Sequence, residues 1–146
     1  MYLHSIGMVH GDIKDENILV DHDYQIKLID FGSAIMVQPD ELVSAFKGTL
    51  HYASPQILNG ERYSPFAADI WTLGCLLYVL VAGEVPFSRV ATAKLGQFQR
   101  PRFVSIECED LISKMLKVNV DERASMTEIS QHPWMISPSA SRSHRT

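Results

Sequence analysis

The sequence predicts a mainly α-helical unit with one small β-hairpin near its start, and three observations carry that reading. Two short β-branched runs, Ile18-Leu19-Val20 and Ile26-Lys27-Leu28-Ile29, flank the polar stretch Asp21-His22-Asp23-Tyr24, the pattern of two strands and a turn. A segment near 66–82 is bracketed by Ser64-Pro65 and Gly83, and from Ile70 to Val81 it is apolar almost all round. That composition predicts a buried central helix. Downstream, Leu111, Ile112, Met115 and Leu116 form the stripe of a second, amphipathic helix.

The remaining elements follow in order. Residues 31–69 scatter Gly, Pro, Ser and Asp without sustained periodicity, which predicts a long ordered loop. Ser125-Met126-Thr127-Glu128 matches a capping box and opens a third helix, which Pro133 is expected to end. Residues 1–136 then form one folded unit. The tail, 137–146, is Ser/Arg-rich without an apolar face and is expected to be disordered. No internal repeat is apparent.

Composition narrows the function classes. The 146 residues are 46% hydrophobic and 21% charged, the balance of a folded domain or part of one. Thirteen basic against seventeen acidic residues give a net charge of −4, which argues against a nucleic-acid partner. The most apolar stretch, Ile70–Ala82, falls short of the ~20 residues a membrane span requires, and no basic-then-apolar secretory leader opens the chain. Cys75 and Cys108 form no CxxC pair and sit among apolar neighbours, so neither a zinc site nor a disulfide framework is expected. His51 and His132 lack metal-ligand spacing. These features together predict an intracellular, cytoplasmic location, with the nucleus left open, and no membrane partner.

The hairpin concentrates chemistry at one end. Asn17 stands just before the first strand and Asp30 just after the second, so an antiparallel pairing brings them together. Asp12, on the incoming loop, can fold back to the same place. Three oxygen-bearing side chains suit a hard cation such as Mg²⁺, and Lys14 adds a positive charge for an anionic group. Such a set serves phosphoryl transfer, where positioning and charge compensation do most of the work. The competing reading is that these residues only cap turns.

A wider pattern bears on that choice. His10-Gly11-Asp12-Ile13-Lys14-Asp15-Glu16-Asn17 resembles the catalytic loop of eukaryotic-type protein kinases, and Asp30-Phe31-Gly32 resembles their metal-binding triplet. Gly48-Thr49 with Ser54-Pro55-Gln56 resembles the end of the activation segment, Asp69-Ile70-Trp71-Thr72-Leu73-Gly74 the start of the central helix, and Gly83-Glu84-Val85-Pro86-Phe87 the turn after it. Arg123 and His132-Pro133-Trp134 resemble the closing helical part. The resemblance covers residues 2–136 and implies the C-terminal lobe of the kinase fold, an α+β unit, with the N-lobe absent. Weaker similarity to PAS-domain and Pim-type kinases lies in Asp-Ile-Lys-Asp-Glu-Asn and Leu-Ile-Asp-Phe-Gly-Ser-Ala.

Roles are implied position by position. Asp12 would be the catalytic base or aligner of the substrate hydroxyl. Asn17 and Asp30 would hold Mg²⁺, and Lys14, the serine/threonine-type residue, would contact the γ-phosphate of ATP. Thr49 would bond near Asp12 and Lys14. His10 and Phe31 would pack beneath the nucleotide, and Asp69 would hold the catalytic-loop backbone. The implied activity is transfer of the ATP γ-phosphoryl group to a Ser or Thr hydroxyl of a protein substrate. Because no glycine-rich loop or strand lysine is visible, the full-length chain is expected to supply the N-lobe, and these residues alone are expected to be inactive.

Three departures from the family pattern matter. The arginine usual before the catalytic aspartate is Gly11, and a frequent phosphosite position is Ala45 with Ser44 beside it; both predict activity independent of loop phosphorylation. Gln56 replaces a glutamate that would pair with Arg123, which predicts a weakened anchor. Glu16 is a candidate contact for a basic residue near the phosphoacceptor. Two rival readings remain: a non-catalytic pseudokinase or interaction module, supported by Gly11 and Gln56, and a Mg²⁺-dependent phosphotransferase of small molecules.

Overall fold

The computed structural model describes residues 1–136; the tail predicted to be disordered lies outside the described residues. The elements in order are α1 (Tyr2–Ser5), β1 (Met8–Val9), β2 (Ile18–Val20), β3 (Ile26–Leu28), β4 (Ile35–Met36), α2 (Pro55–Leu58) and α3 (Pro65–Ala82), followed by α4 (Val90–Lys94), α5 (Ile106–Met115), α6 (Met126–Ser130) and α7 (Pro133–Ile136). Single 3-10 turns lie at Asp15–Asn17, Phe31–Ser33, Leu50–Tyr52 and Val120–Glu122. The architecture is mainly helical with two small antiparallel ladders.

The predicted hairpin forms, with Ile18 opposite Leu28 and Val20 opposite Ile26. The predicted loop over 31–69 is more structured than the sequence suggested. Its start pairs back onto β1, with Val9 opposite Ile35, its middle bridges Val43 to Tyr63, and α2 interrupts it. Two-residue strands and single bridges are too short to leave a period-2 pattern, so non-local pairing alone defines them.

Local chemistry sets the bounds of α3. The Ser64 hydroxyl accepts from Ala67 N–H, Pro65 occupies the first turn, and Gly83 ends the helix at φ 75°, the left-handed conformation favoured by glycine. Burial is one-sided, which corrects the all-round burial expected of this helix. Trp71 and Cys75 are fully buried, whereas Leu80 is 67% exposed and Leu73 and Leu77 are half-buried. At 18 residues with mean hydropathy 1.7, α3 is also long and apolar enough to cross a membrane by length and composition alone. That length is reached because the helix extends N-terminally from Ile70 through Pro65-Phe66-Ala67-Ala68-Asp69. Half of the helix is buried inside the fold, the placement of a core helix.

The core lies between α3 and α5. At Gly74 a Cβ would stand 2.9 Å from Met115 Cβ and from Leu116 Cδ2, so glycine lets the two helices approach there. Trp71 stacks on Phe87 with centroids 5.3 Å apart. The Ser105 hydroxyl caps α5, and the predicted stripe Leu111, Ile112, Met115 and Leu116 is wholly buried. The capping box at Ser125 and Glu128 is present, but α6 ends at Ser130 and Pro133 starts α7. Proline tolerates the first helical turn because its missing N–H has no partner to lose there. Both cysteines are buried and free. His51 is exposed, and His132 is buried with Nε2 2.9 Å from Asp110 Oδ2.

Candidate active site

Asp69, in the early turns of α3, organises the loop that carries the predicted base. Its Oδ2 accepts the His10 N–H at 3.1 Å and its Oδ1 the Gly11 N–H at 3.1 Å. His4 Nε2 stands 3.0 Å from the same Oδ2. A buried carboxylate with two backbone donors fixes the loop where it leaves β1. His10, with no solvent exposure, locks the next link. Its Nδ1 accepts the Asp12 N–H at 3.3 Å, so the proton sits on Nε2, which donates to Ile29 O at 3.0 Å. Its ring meets Phe31 edge-on at 4.9 Å. The packing expected of His10 and the anchoring expected of Asp69 are thus both present.

Asp12, Lys14 and Thr49 form one cluster. The Thr49 hydroxyl donates to Asp12 Oδ1 at 2.8 Å and accepts from Lys14 Nζ at 2.9 Å. Lys14 Nζ lies 3.2 Å from Asp12 Oδ2. Burial pushes the Asp12 carboxyl up, but the hydrogen bonds from Thr49 and Lys14 outweigh it and hold the group below the usual carboxylate value. Its hydrogen bond to Asp12 holds Lys14 above the usual lysine value, against burial and with help from Glu16 and Asp30. The two charges sustain each other.

Asn17 and Asp30 sit at the same end of the hairpin, where Ile29 N–H donates to Asn17 O at 2.9 Å. The buried Asn17 donates its amide to Asp12 O at 2.8 Å, which commits the nitrogen and leaves Oδ1 as its ligand atom. Asp30 occupies the left-handed region at φ 59° and accepts the Gly32 N–H through Oδ1 at 3.1 Å. Its Oδ2 has no protein partner among the described residues. An amide oxygen and a carboxylate oxygen so disposed fit a Mg²⁺ ion, whose remaining ligands would be phosphate and water oxygens. Among the described residues no group of three or more His, Cys, Asp or Glu side chains forms an all-protein metal cage. Mg²⁺ seldom uses one.

Two features of the site were not read from the sequence. Tyr52 Oη donates to Asp15 Oδ1 at 2.8 Å, tying the turn after Thr49 to the catalytic-loop candidate. Gly11, at φ 78°, packs so closely that a Cβ there would lie 2.7 Å from Ser33 O, and a Cβ on Gly48 would lie 2.5 Å from Gly11 O. A glycine in place of an expected larger residue was the available signal for the second feature. The first left none.

Below the site, Arg123 is buried with no carboxylate partner among the described residues. It donates to the carbonyls of Ala67, Lys117 and Val118 and, at 3.0 Å, to Gln56 Oε1. The guanidinium also stands over the Trp71 ring at 5.1 Å. Burial pushes its pKa down to about 10. The Gln56 amide oxygen therefore still reaches Arg123, with carbonyls carrying most of the hydrogen bonding.

This arrangement offers a carboxylate held by a hydroxyl and an ammonium, beside two oxygen ligands for a cation. The protein kinase domain model matches residues 1–135, so the chain belongs to the eukaryotic-type protein kinase family. Several of its relatives are serine/threonine kinases by name. It is 44% identical over 140 residues to serine/threonine-protein kinase kin-29 of Caenorhabditis elegans, an alignment covering 92% of this chain and 17% of that protein. It is 41% identical over 140 residues to serine/threonine-protein kinase SIK1 of Rattus norvegicus, covering 92% and 18%. With protein kinase kin1 of Schizosaccharomyces pombe it shares 39% identity over 141 residues, covering 92% and 16%. The chain thus spans less than a fifth of the length of these relatives, and none of the three is a PAS-domain or Pim-type kinase by name.

Proposed function

We propose that residues 1–136 are the C-terminal lobe of a serine/threonine protein kinase that transfers the ATP γ-phosphoryl group to a protein Ser or Thr hydroxyl. The observation that carries this reading is the Asp12–Thr49–Lys14 cluster. A single hydroxyl bridges the proposed base and the proposed phosphate contact.

In this reading Asp12 Oδ2 aligns the substrate hydroxyl and accepts its proton as the new P–O bond forms. The bond from the γ-phosphorus to the β,γ-bridging oxygen breaks, and ADP leaves with that oxygen. Thr49 holds the other carboxylate oxygen, fixing the orientation. Lys14 offsets negative charge on the transferred group. Asn17 Oδ1 and Asp30 hold Mg²⁺, which when bound offsets charge on the phosphate oxygens. The N-lobe that covers the nucleotide is assigned to the rest of the full-length protein. An intracellular location, cytoplasmic with the nucleus open, goes with this activity, and no nucleic-acid or membrane partner is proposed.

The test is Mg·ATP-dependent phosphorylation of protein substrates by the full-length protein, with Asp12→Asn as control. Loss of nearly all transfer in Asp12→Asn supports the reading. A wild-type protein that binds partners without Mg·ATP-dependent transfer favours the non-catalytic interaction module to which Gly11 and Gln56 point.

A further inference from the structure

We propose that the cavity beneath residues 41–47 is a binding site for a small neutral apolar molecule, separate from the Asp12 cluster. The cavity measures about 340 Å³, near the lower end of the ~300–1,000 Å³ typical of small-molecule pockets. That size suits a compound of one or two rings. Val9 and Ile35, partners in the β1–β4 ladder, form one wall, Ala68 of α3 a second, and Val43, Ala45 and Phe46 the roof.

Hydrogen bonding within the lining selects the ligand class. Both Asp69 oxygens already accept from His10 and Gly11. Thr72 Oγ1 donates to Ala68 O at 2.9 Å, Tyr63 Oη to Ala45 O at 2.8 Å and Ser33 Oγ to Lys47 O at 3.3 Å. A ligand entering here meets polar groups that are already paired, so burial of apolar surface must supply its affinity. A charged ligand would shed hydration without new partners. Glu41 and Lys47 at the rim are exposed and of opposite sign, and they favour neither charge.

The space exists because three lining positions carry almost no side chain, Gly11, Ala45 and Ala68. At Gly11 the room cannot be filled by substitution, since a Cβ would strike Ser33 O at 2.7 Å. The roof hangs on few bonds to the rest of the fold: the two Val43–Tyr63 backbone bonds at 3.0 and 2.9 Å, Arg62 Nη2 to Leu42 O at 2.8 Å, the Tyr63 hydroxyl on Ala45 and the Ser33 hydroxyl on Lys47 O. A molecule packed against Val43 and Phe46 binds only the seated roof, so occupancy shifts the population of this segment toward that arrangement.

Indole is the probe, added to the full-length protein. Saturation-transfer NMR should show it bound. Amide exchange should slow in residues 41–47 and at Val9 and Tyr63. Ala45→Leu and Ala68→Leu, which fill the cavity from the roof and from the α3 wall, should each weaken binding by about tenfold or more. Tryptamine and indole-3-acetate, the cationic and anionic analogues, should bind more weakly than indole. Three results overturn the proposal: no transfer to indole, tighter binding of either charged analogue, or protection that appears away from the cavity. Because the exchange pattern is measured on the unaltered protein, the test stands even where a cavity-filling variant fails to fold.

Discussion

The hydroxyl of Tyr52 donates to Asp15 Oδ1 at 2.8 Å across 37 positions of sequence. Tyr52 is buried, and its aromatic ring belongs to the same core as Ile13, Trp71 and Cys75. The carboxylate of the exposed Asp15 therefore reaches back onto a residue fixed in the core. Burial, then the bond to Asp15, pushes the Tyr52 phenol well above its usual value, so it stays a donor throughout the working pH range. The pair joins the turn after Thr49 to the loop that carries Asp12 and Lys14.

A double-mutant cycle on Tyr52→Phe and Asp15→Ala should return a coupling of about 1.5 kcal/mol, the scale of a hydrogen bond to a charged group. Urea midpoints of the four proteins measure it. If Tyr52→Phe and Asp15→Ala add independently, the two residues do not act as a pair.

Thr49 makes a sharper prediction because its hydroxyl both donates and accepts. Thr49→Ser keeps both bonds and should retain most of the phosphoryl-transfer rate. Thr49→Val keeps the volume and loses both, freeing Asp12 and Lys14 to move; a fall of about 10²-fold in kcat is expected for misplacement of this kind. Steady-state kinetics on the full-length protein would separate kcat from KM. Equal rates in the two variants would remove the hydroxyl from the proposed machinery.

What the sequence showed in advance is what depends on near neighbours. The caps at Ser64 and Ser125 act within three residues, and the hairpin that gathers Asn17 and Asp30 closes over a short turn. Contacts across long stretches left no such trace. The pairing of Val9 with Ile35 is a two-residue ladder, and Tyr52 meets Asp15 only because the chain returns after its central loop. Thr49 entered through family resemblance, since no spacing rule links it to Asp12. The carbonyls around Arg123 come from Ala67 in α3 and from the adjacent Lys117 and Val118, and backbone acceptors are invisible in side-chain identity.

Arg123 and Gln56 test how that anchor works. Gln56 accepts from Arg123 Nη2 and donates its own amide to Val118 O at 2.8 Å. Gln56→Glu would supply a charge partner for Arg123 but set a carboxylate oxygen against the Val118 carbonyl. The two effects oppose, and a stability change within about 1 kcal/mol is expected. Arg123→Met should be far worse, leaving Lys117 O and Gln56 Oε1 without the guanidinium donor at a cost of about 3 kcal/mol. Chemical denaturation of the three proteins checks both values. A large gain in Gln56→Glu would show that charge pairing, and not the carbonyl cage, limits the anchor.

Asp110 carries a pH dependence. Its Oδ2 lies 2.6 Å from Lys114 Nζ and 2.9 Å from His132 Nε2. The Lys114 hydrogen bond first, then that of His132, holds the carboxyl below its ordinary value. A carboxyl depressed in the folded state binds protons more readily when unfolded. Its contribution is therefore complete above the ordinary aspartate value near 3.8 and is lost as pH falls through the lower folded value. Thermal unfolding at neutral pH and near pH 3 should show a smaller acid loss in Asp110→Asn than in wild type. An identical acid loss in the two proteins would place the acid sensitivity elsewhere, Asp12 being the next candidate because its carboxyl is also held low.

Gly11 joins stability to regulation. With φ at 78° and a virtual Cβ 2.7 Å from Ser33 O, the position rejects any side chain unless the backbone shifts. Gly11→Ala should therefore cost about 1–3 kcal/mol, the scale of a non-glycine residue forced into this conformation, and lower activity by displacing Asp12. The same crowding bars the arginine that would receive a phosphorylated segment, while Gly48 closes on Gly11 O from the other side. Backbone packing then seats the segment where a phosphate bridge would otherwise be needed. Ser44, exposed beside Ala45, makes no side-chain hydrogen bond with an arginine or lysine among the described residues, so Ser44→Ala should leave the rate within about twofold of wild type. Phosphatase treatment should do the same. Loss of most activity in either experiment would mean that a cation from outside residues 1–136 reaches the segment, and that the close Gly11 packing does not suffice to hold it.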